Sequence, residues 1–336
     1  MAKQENLPEE ERLKQLAAQM RSAEYAGLSE EEIQQRERQK EMRKKQNIDE
    51  LNDTLSILDK GCYKKGDKTI KLHYTKEQMQ NTEVFLPYDI EALKANNCIG
   101  ENKAAASQCS FSCENADSLA LAQNKYKALK ESGEANPEIL LLNLASATHP
   151  GGHTRQGASA QEEDLCRRTS LLLSLESEAA KKYYQYNETL KTRMGSDSII
   201  FSPNVEVIKS VSDPLDAPFP VSVISCAAPM VRLGLEGMSQ QEYEAMLLNR
   251  INGILLVAAS CGYRHLILGA FGCGIYGNDA TLVSDLFARA IRYFSFNGKD
   301  SSQLFDSIQF AVLCRPEKDY NFKEFYRNFG EEGDEG

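Results

Sequence analysis

The sequence predicts an α/β fold in which a mixed or largely parallel sheet is covered by helices on both faces. Two observations carry this prediction. The 336 residues are 41% hydrophobic, which is enough to bury a substantial core. From about residue 59 onward, short apolar runs alternate with longer amphipathic stretches, and repeated strand–helix units build a sheet of this kind.

The segment 1–58 differs in composition and is predicted to be a helical extension of one or two helices. Glu, Gln, Lys and Arg dominate it. Ser29 followed by Glu32 is a capping box, and Gly27 lies where an earlier helix, begun near Pro8, ends. Mixed acidic and basic residues are typical of a solvated helix or one that docks a partner.

Residues 59–327 are the predicted compact domain, and residues 328–336 an acidic disordered tail. Two β-rich runs, 69–74 and 82–86, come first. The candidate buried strands are 139–144, 199–208 (broken by Pro203), 221–226, 265–270 and 308–314. The helical patterns are 117–131, 161–176, 178–191, 240–260 and 279–293.

The composition limits which ligands and which cellular compartment are expected for this protein. With 39 basic and 49 acidic residues the net charge is -10, which disfavours binding to nucleic acid or anionic lipid. No apolar run approaches the roughly 18 residues of a membrane span, and no secretory signal precedes the domain. Nine cysteines without a Cys-x-x-Cys pair predict free thiols in a reducing cytoplasm. We expect a monomer.

The acidic tail leaves the place of action open. It resembles the export signals of some bacterial effectors, which act inside a host cell. It is equally well explained as solvated disorder.

Ligands of open α/β sheets bind beyond the carboxyl ends of the strands, so the loop after 265–270 is a candidate site. Its closely spaced glycines allow positive φ and expose backbone amides, as in a phosphate cradle. Gly272-x-Gly274-x-x-Gly277 also matches the dinucleotide fingerprint. Its position late in the chain, with Asp306 ahead of the next strand, disfavours a dehydrogenase. A tight turn without ligand stays an alternative.

The loop after 139–144 adds groups that do chemistry. Gly151 and Gly152 allow a close backbone approach, and Glu162 and Glu163 begin a helix. Successive helical residues differ by about 100° in direction, so the two carboxylates are expected to have different roles, one on sugar hydroxyls and one in proton transfer. Like charge and burial raise the pKa of one of them. The alternative is that both merely favour a helix N-terminus.

The two loops together resemble the macrodomain-type poly(ADP-ribose) glycohydrolases of the shorter microbial branch. The family signature is three glycines, a spacer and Gln-Glu-Glu, and this chain has Gly-Gly-His at 151–153, a spacer of seven residues and Gln-Glu-Glu at 161–163. Further similar segments follow in the family's order, and the resemblance covers about residues 48–326. These segments are 164–168, Tyr183-Tyr184, 201–203, 225–229 and 268–278.

The resemblance implies a macrodomain-like mixed sheet and a hydrolase that removes ADP-ribose from ADP-ribosylated protein, with no metal and no cofactor. It implies that Glu163 is the catalytic acid/base and that Glu162 holds a ribose hydroxyl. The implied substrate-binding residues are Asn143, Ser146, Gly151, Gly152, His153, Gln161, Ala227, Gly272, Cys273, Gly274, Ile275 and Tyr276.

The sequence departs from the family at His149 and His153, which replace an asparagine and the third glycine. We expect the β-carbon of His153 to crowd the loop. The crowding either reshapes the loop around a different leaving group, such as an arginine-linked protein, or weakens the activity. Three alternatives stay open: exposed histidines without a role, a non-catalytic ADP-ribose reader, and a zinc site, which lacks a third ligand.

Overall fold

The computed structural model describes residues 25–95, 109–211, 213–314 and 319–330, together with positions 11, 15, 18 and 22. The helix predicted to begin near Pro8 and most of the predicted acidic tail lie outside the described residues. The helices in the described part are α1 (Glu30–Lys60), α2 (Thr75–Gln80), α3 (Pro87–Ala95), α4 (Ser118–Glu131), α5 (Gln161–Arg168), α6 (Leu171–Leu175), α7 (Lys181–Leu190), α8 (Gln240–Ser260), α9 (Ala280–Tyr293), α10 (Ser301–Leu304) and α11 (Tyr320–Phe329), with a 3₁₀ turn at Thr154–Gln156.

The main sheet is mixed, which confirms the predicted fold class. The strands in the described part are β1 (Cys62–Lys65), β2 (Lys68–Lys71), β3 (Glu83–Phe85), β4 (Ser110–Glu114), β5 (Ile139–Leu144), β6 (Ile199–Lys209), β7 (Pro214–Cys226), β8 (His265–Leu268), β9 (Ser295–Phe296), β10 (Lys299–Asp300) and β11 (Ser307–Ala311). The strand order of the main sheet is β3-β6-β7-β5-β8-β11-β4. The last five strands of that order run parallel, and β6 is antiparallel to both β7 and β3. The carboxyl ends of β5, β7 and β8 therefore share one edge of the sheet.

The core lies on both faces of this sheet. Along β5, Leu140 and Leu142 pack with the cluster that includes α8 and α9, whereas Ile139 and Leu141 pack with the cluster that includes α4 to α7. Successive residues of a strand point to opposite faces. This explains why β5 is apolar throughout, since both of its faces are buried.

Two sequence predictions inside this framework are wrong. Pro203 does not break its strand, because a register shift between Ser202 and Val205 accommodates it. The helix predicted over 161–176 is two helices, because Thr169 forms an isolated bridge to Val207. Bonding to β6 continues as the Ser170 N–H donates to the Glu206 carbonyl at 3.0 Å.

Several elements were not predicted, because their sequence patterns are weak. The edge strand β4 and the helices α2, α3 and α11 were all missed. Phe329, which the sequence predicts to lie in the tail, is buried at the end of α11.

Helix α1 begins at the predicted Ser29 capping box and ends before Gly61, whose φ is 64°. Its C-terminal half packs on the domain, with Asn47, Leu51 and Thr54 buried. The predicted extension therefore has one half that contacts the domain directly.

Candidate active site

The predicted site residues come together at the carboxyl edge of β5, β7 and β8. The loop 145–160 follows β5, segment 227–232 follows β7, and loop 269–279 follows β8. Glu162 and Glu163 lie in the first turn of α5, directly beside the end of β5.

Glu162 is 3% exposed and is held by groups from the β5 loop. Its Oε2 accepts from the Ser146 N–H at 2.8 Å, and its Oε1 accepts from Asn143 Nδ2 at 3.3 Å. Burial raises its pKa to about 8, opposed by these hydrogen bonds, and the charge of Glu163 adds to the rise.

Glu163 is 7% exposed and has a different set of contacts. Its Oε1 accepts from the backbone N–H of His153 at 3.0 Å. Its Oε2 is buried and has no hydrogen-bond partner among the described residues. One oxygen is thus fixed while the other is left for a further group.

Gly152 lies directly against both carboxylates. A β-carbon at this position falls 2.5 Å from Glu163 Oε1 and 3.1 Å from Glu162 Oε2, and its φ is +60°. Gly151 faces the core instead, since its β-carbon meets Leu172 Cδ1 at 2.8 Å. The Gly151 backbone nevertheless hydrogen-bonds Glu162, so both glycines bring backbone to the carboxylates.

Two amide side chains fix the catalytic loop. Gln161 accepts from the Leu144 N–H at 2.8 Å and donates to the Leu142 carbonyl at 2.8 Å, so it locks α5 to β5. Asn47 of α1 donates to the Gly157 carbonyl at 2.8 Å. No local sequence pattern points to Asn47, because its partner lies 110 residues away.

The glycine-rich loop after β8 presents bare amides. The N–H groups of Gly274, Ile275 and Tyr276 donate to no acceptor among the described residues. Buried Asn278 closes the loop by donating to the Gly272 carbonyl at 2.9 Å and to the Pro229 carbonyl at 2.8 Å. The loop therefore leaves three backbone N–H groups without an acceptor among the described residues, and it is held by a side chain that the sequence analysis did not single out.

The remaining predicted residues border these groups. The Ala227 carbonyl accepts from Arg250 Nη1 at 2.8 Å. Burial, with the charge of Glu162, raises the pKa of Tyr276 to about 12. Cys273 turns its thiol toward the Phe271 carbonyl at 3.6 Å, so any contact it makes in the cradle runs through its backbone.

His149 and His153 are exposed and stack on each other at the mouth of the site. Their ring centroids are 5.2 Å apart, with 29° between the planes. The φ of His153 is −107°, an ordinary value for a residue with a β-carbon. The expected crowding at His153 is therefore wrong, because the imidazole points outward while its N–H reaches Glu163.

The described residues contain neither a cluster of metal ligands nor a membrane-spanning helix. Across residues 25–95, 109–211, 213–314 and 319–330, no three His, Cys, Asp or Glu side chains cluster as metal ligands. In the same ranges no helix is long and apolar enough to cross a bilayer.

Comparisons with known proteins show which family this chain resembles. The family model "Microbial-type PARG, catalytic domain" matches residues 52–210. A poly(ADP-ribose) glycohydrolase from Deinococcus radiodurans, solved in complex with ADP-ribose, is 30% identical, with a TM-score of 0.65 over 77% of this chain and 98% of that one. This chain belongs to the microbial-type poly(ADP-ribose) glycohydrolase family.

A second solved structure is less identical in sequence but covers more of this chain. The enzyme from Thermomonospora curvata, bound to the inhibitor ADP-HPD, is 26% identical, with a TM-score of 0.72 over 84% of this chain and 99% of that one. No curated protein matches the sequence significantly. The family fold thus extends well beyond the part that the family model matches.

Proposed function

We propose that this chain hydrolyses the glycosidic bond that links ADP-ribose to an acceptor, with Glu163 as general acid and base. The observation that carries the proposal is the asymmetry of the Glu163 carboxylate. Oε1 is fixed by the His153 N–H, and Oε2 is buried without a partner among the described residues. A buried acceptor without a partner costs about 1–3 kcal/mol, and a bound substrate supplies that partner.

The reaction then follows the general scheme for glycosides. Protonated Glu163 gives its proton to the leaving atom of the acceptor as the bond to the ribose C1 breaks. The resulting carboxylate takes a proton from a water molecule whose oxygen bonds to C1, which restores the acid. Charge develops on the ribose in the transition state, beside the two carboxyl groups.

Glu162 and its neighbours position the ribose in this proposal. Ser146 and Asn143 hold the Glu162 carboxyl group so that it faces the ribose hydroxyls. With a pKa of about 8, Glu162 is mostly neutral at neutral pH. A neutral group here both donates and accepts hydrogen bonds, and it does not repel the diphosphate of the substrate.

The cradle binds the diphosphate through backbone amides. The N–H groups of Gly274, Ile275 and Tyr276 are the donors, while Gly272 and Cys273 shape the loop. Because these donors meet the charge, the proposed reaction proceeds without a metal ion. Tyr276 packs on the sugar, and Ala227 borders the adenosine.

The acceptor is proposed to be a protein carrying a single ADP-ribose on arginine. The exposed His149–His153 pair lies at the mouth, where the leaving group departs. A net charge of -10 suits an arginine-rich neighbourhood.

Release of free ADP-ribose from two substrates tests this proposal. An arginine-mono-ADP-ribosylated protein and an automodified poly(ADP-ribosyl)ated protein are compared for wild type, His149→Ala and His153→Ala. We expect turnover of the arginine-linked protein and a lower rate in both variants. Turnover of the polymer alone, or unchanged rates in the variants, overturns the arginine preference. Binding of ADP-ribose with neither substrate cleaved identifies a reader instead of a hydrolase.

The chain is further proposed to act as a monomer in the cytoplasm. Light scattering on the purified protein tests the first point, and a dimer contradicts it. Fractionation of producing cells tests the second, and recovery of the protein from the medium or a host cell favours an exported effector.

A further inference from the structure

Arg232 lies against the outside of the cradle and contacts three of its carbonyl groups. Its Nε donates to the Ile275 carbonyl at 2.8 Å, and its Nη2 donates to the Gly274 carbonyl at 2.9 Å. Its backbone N–H donates to the Tyr276 carbonyl at 3.0 Å. One residue therefore holds three successive peptide units of the loop.

These contacts fix the direction of the amides. In a trans peptide the carbonyl of one residue and the N–H of the next point in opposite directions, and the described chain has no cis peptide. The carbonyls of Gly274 and Ile275 point to Arg232, so the N–H groups of Ile275 and Tyr276 point away from it. Among the described residues neither N–H meets an acceptor.

The local sequence permits this close packing. Gly277 has a φ of +80°, and a β-carbon there lies 3.0 Å from Arg232 Cβ and 3.2 Å from Arg232 Cα. A side chain at 277 pushes the segment carrying Arg232 away from the loop. The absence of a side chain at Gly277 therefore permits both the turn and the close contact with the segment that carries Arg232.

We propose that Arg232 is a positioning residue that preorganises the cradle for a diphosphate. The proposal rests on the proposed function, because it assumes a diphosphate ligand in this loop. An exposed glycine-rich loop otherwise loses conformational entropy on binding. A planar guanidinium holds two carbonyls in a fixed geometry, which the single ammonium group of lysine does not reproduce.

Calorimetric binding of ADP-ribose and of adenosine, which lacks the diphosphate, tests the proposal. The variants are Arg232→Met, Arg232→Lys and the control Arg264→Met. Arg264 is the control, since it also donates to two successive carbonyls, those of Gln303 and Leu304 at 3.1 and 3.4 Å, in addition to its ion pair with Asp306. It lies just before β8, at the opposite edge of the sheet from the cradle.

We expect Arg232→Met to weaken ADP-ribose binding about tenfold and to leave adenosine binding unchanged. Arg232→Lys is expected to remain weakened, and Arg264→Met to bind as wild type. Wild-type affinity in Arg232→Met, equal losses for both ligands, or full rescue by lysine each overturns the proposal. If wild type itself does not bind ADP-ribose, the proposed function fails instead.

Discussion

Replacing Gly152 with alanine inserts a methyl group beside the two carboxylates. The new carbon lies 2.5 Å from Glu163 Oε1, whereas non-bonded heavy atoms prefer about 3.5 Å. Glu163 must therefore shift by about 1 Å, which breaks its 3.0 Å hydrogen bond from the His153 N–H. A misplacement of about 1 Å costs on the order of 100-fold in rate.

The stability effect has two parts. Alanine in the left-handed region costs about 1–2 kcal/mol, and relief of the overlap costs about 1–3 kcal/mol more. Gly66→Ala measures the backbone cost alone. The φ of Gly66 is +58°, against +60° for Gly152, and a β-carbon at Gly66 meets nothing within 4 Å. Gly66→Ala therefore has only the backbone cost.

Urea unfolding and initial rates of ADP-ribose release are measured for both variants. We expect Gly152→Ala to lose about 1–3 kcal/mol more stability than Gly66→Ala and about 100-fold in kcat. Gly66→Ala should retain wild-type kcat. Equal stability losses refute the overlap, and wild-type kcat in Gly152→Ala refutes the claim that this backbone fixes Glu163.

Two further predictions concern the same loop. Burial raises the pKa of Glu162 to about 8 from 4.5, so the native state holds this proton more tightly than the unfolded state. The resulting stability is complete below about pH 4.5 and is lost as the pH rises through 8. Glu162→Gln removes this loss of stability. Between pH 5 and pH 9 the melting temperature of the variant should therefore rise relative to that of wild type, by the equivalent of a few kcal/mol. If the melting temperatures of the two proteins change in parallel with pH, the raised pKa of Glu162 is contradicted. Asn47→Asp replaces a donor with an acceptor against the Gly157 carbonyl. It should lower the stability by about 1–3 kcal/mol and slow ADP-ribose release, and the control Asn47→Ala should have a smaller effect on both. Unchanged rates of release in both variants contradict the idea that α1 supports the active loop.

The sequence predicts those parts of the site whose residues lie close together in the sequence. Glu162, Glu163 and the glycines of both loops lie in short motifs, so their chemistry could be inferred locally. Asn47 and Arg232 could not be found this way, because their partners lie 110 and 42–43 residues away in sequence.

Dependence on residues that are distant in the sequence also explains the two wrong predictions about the fold. The helix predicted over 161–176 keeps its apolar pattern, but backbone bonds from Thr169 and Ser170 to β6 interrupt it. Pro203 is tolerated because a bulge in β6 removes the need for its missing N–H. Both outcomes depend on pairing with a distant strand, which local propensity does not encode.

Replacing Glu163 with glutamine tests whether this side chain transfers the proton. Glutamine keeps the side-chain shape and the acceptor for the His153 N–H but cannot donate and recover a proton in this way. Single-turnover release of ADP-ribose is measured beside calorimetric binding of ADP-ribose, with Glu178→Gln, an exposed glutamate in the same region, as control. We predict that Glu163→Gln loses at least about 100-fold in rate while its affinity stays close to that of wild type and the control. Wild-type turnover in Glu163→Gln contradicts the mechanism.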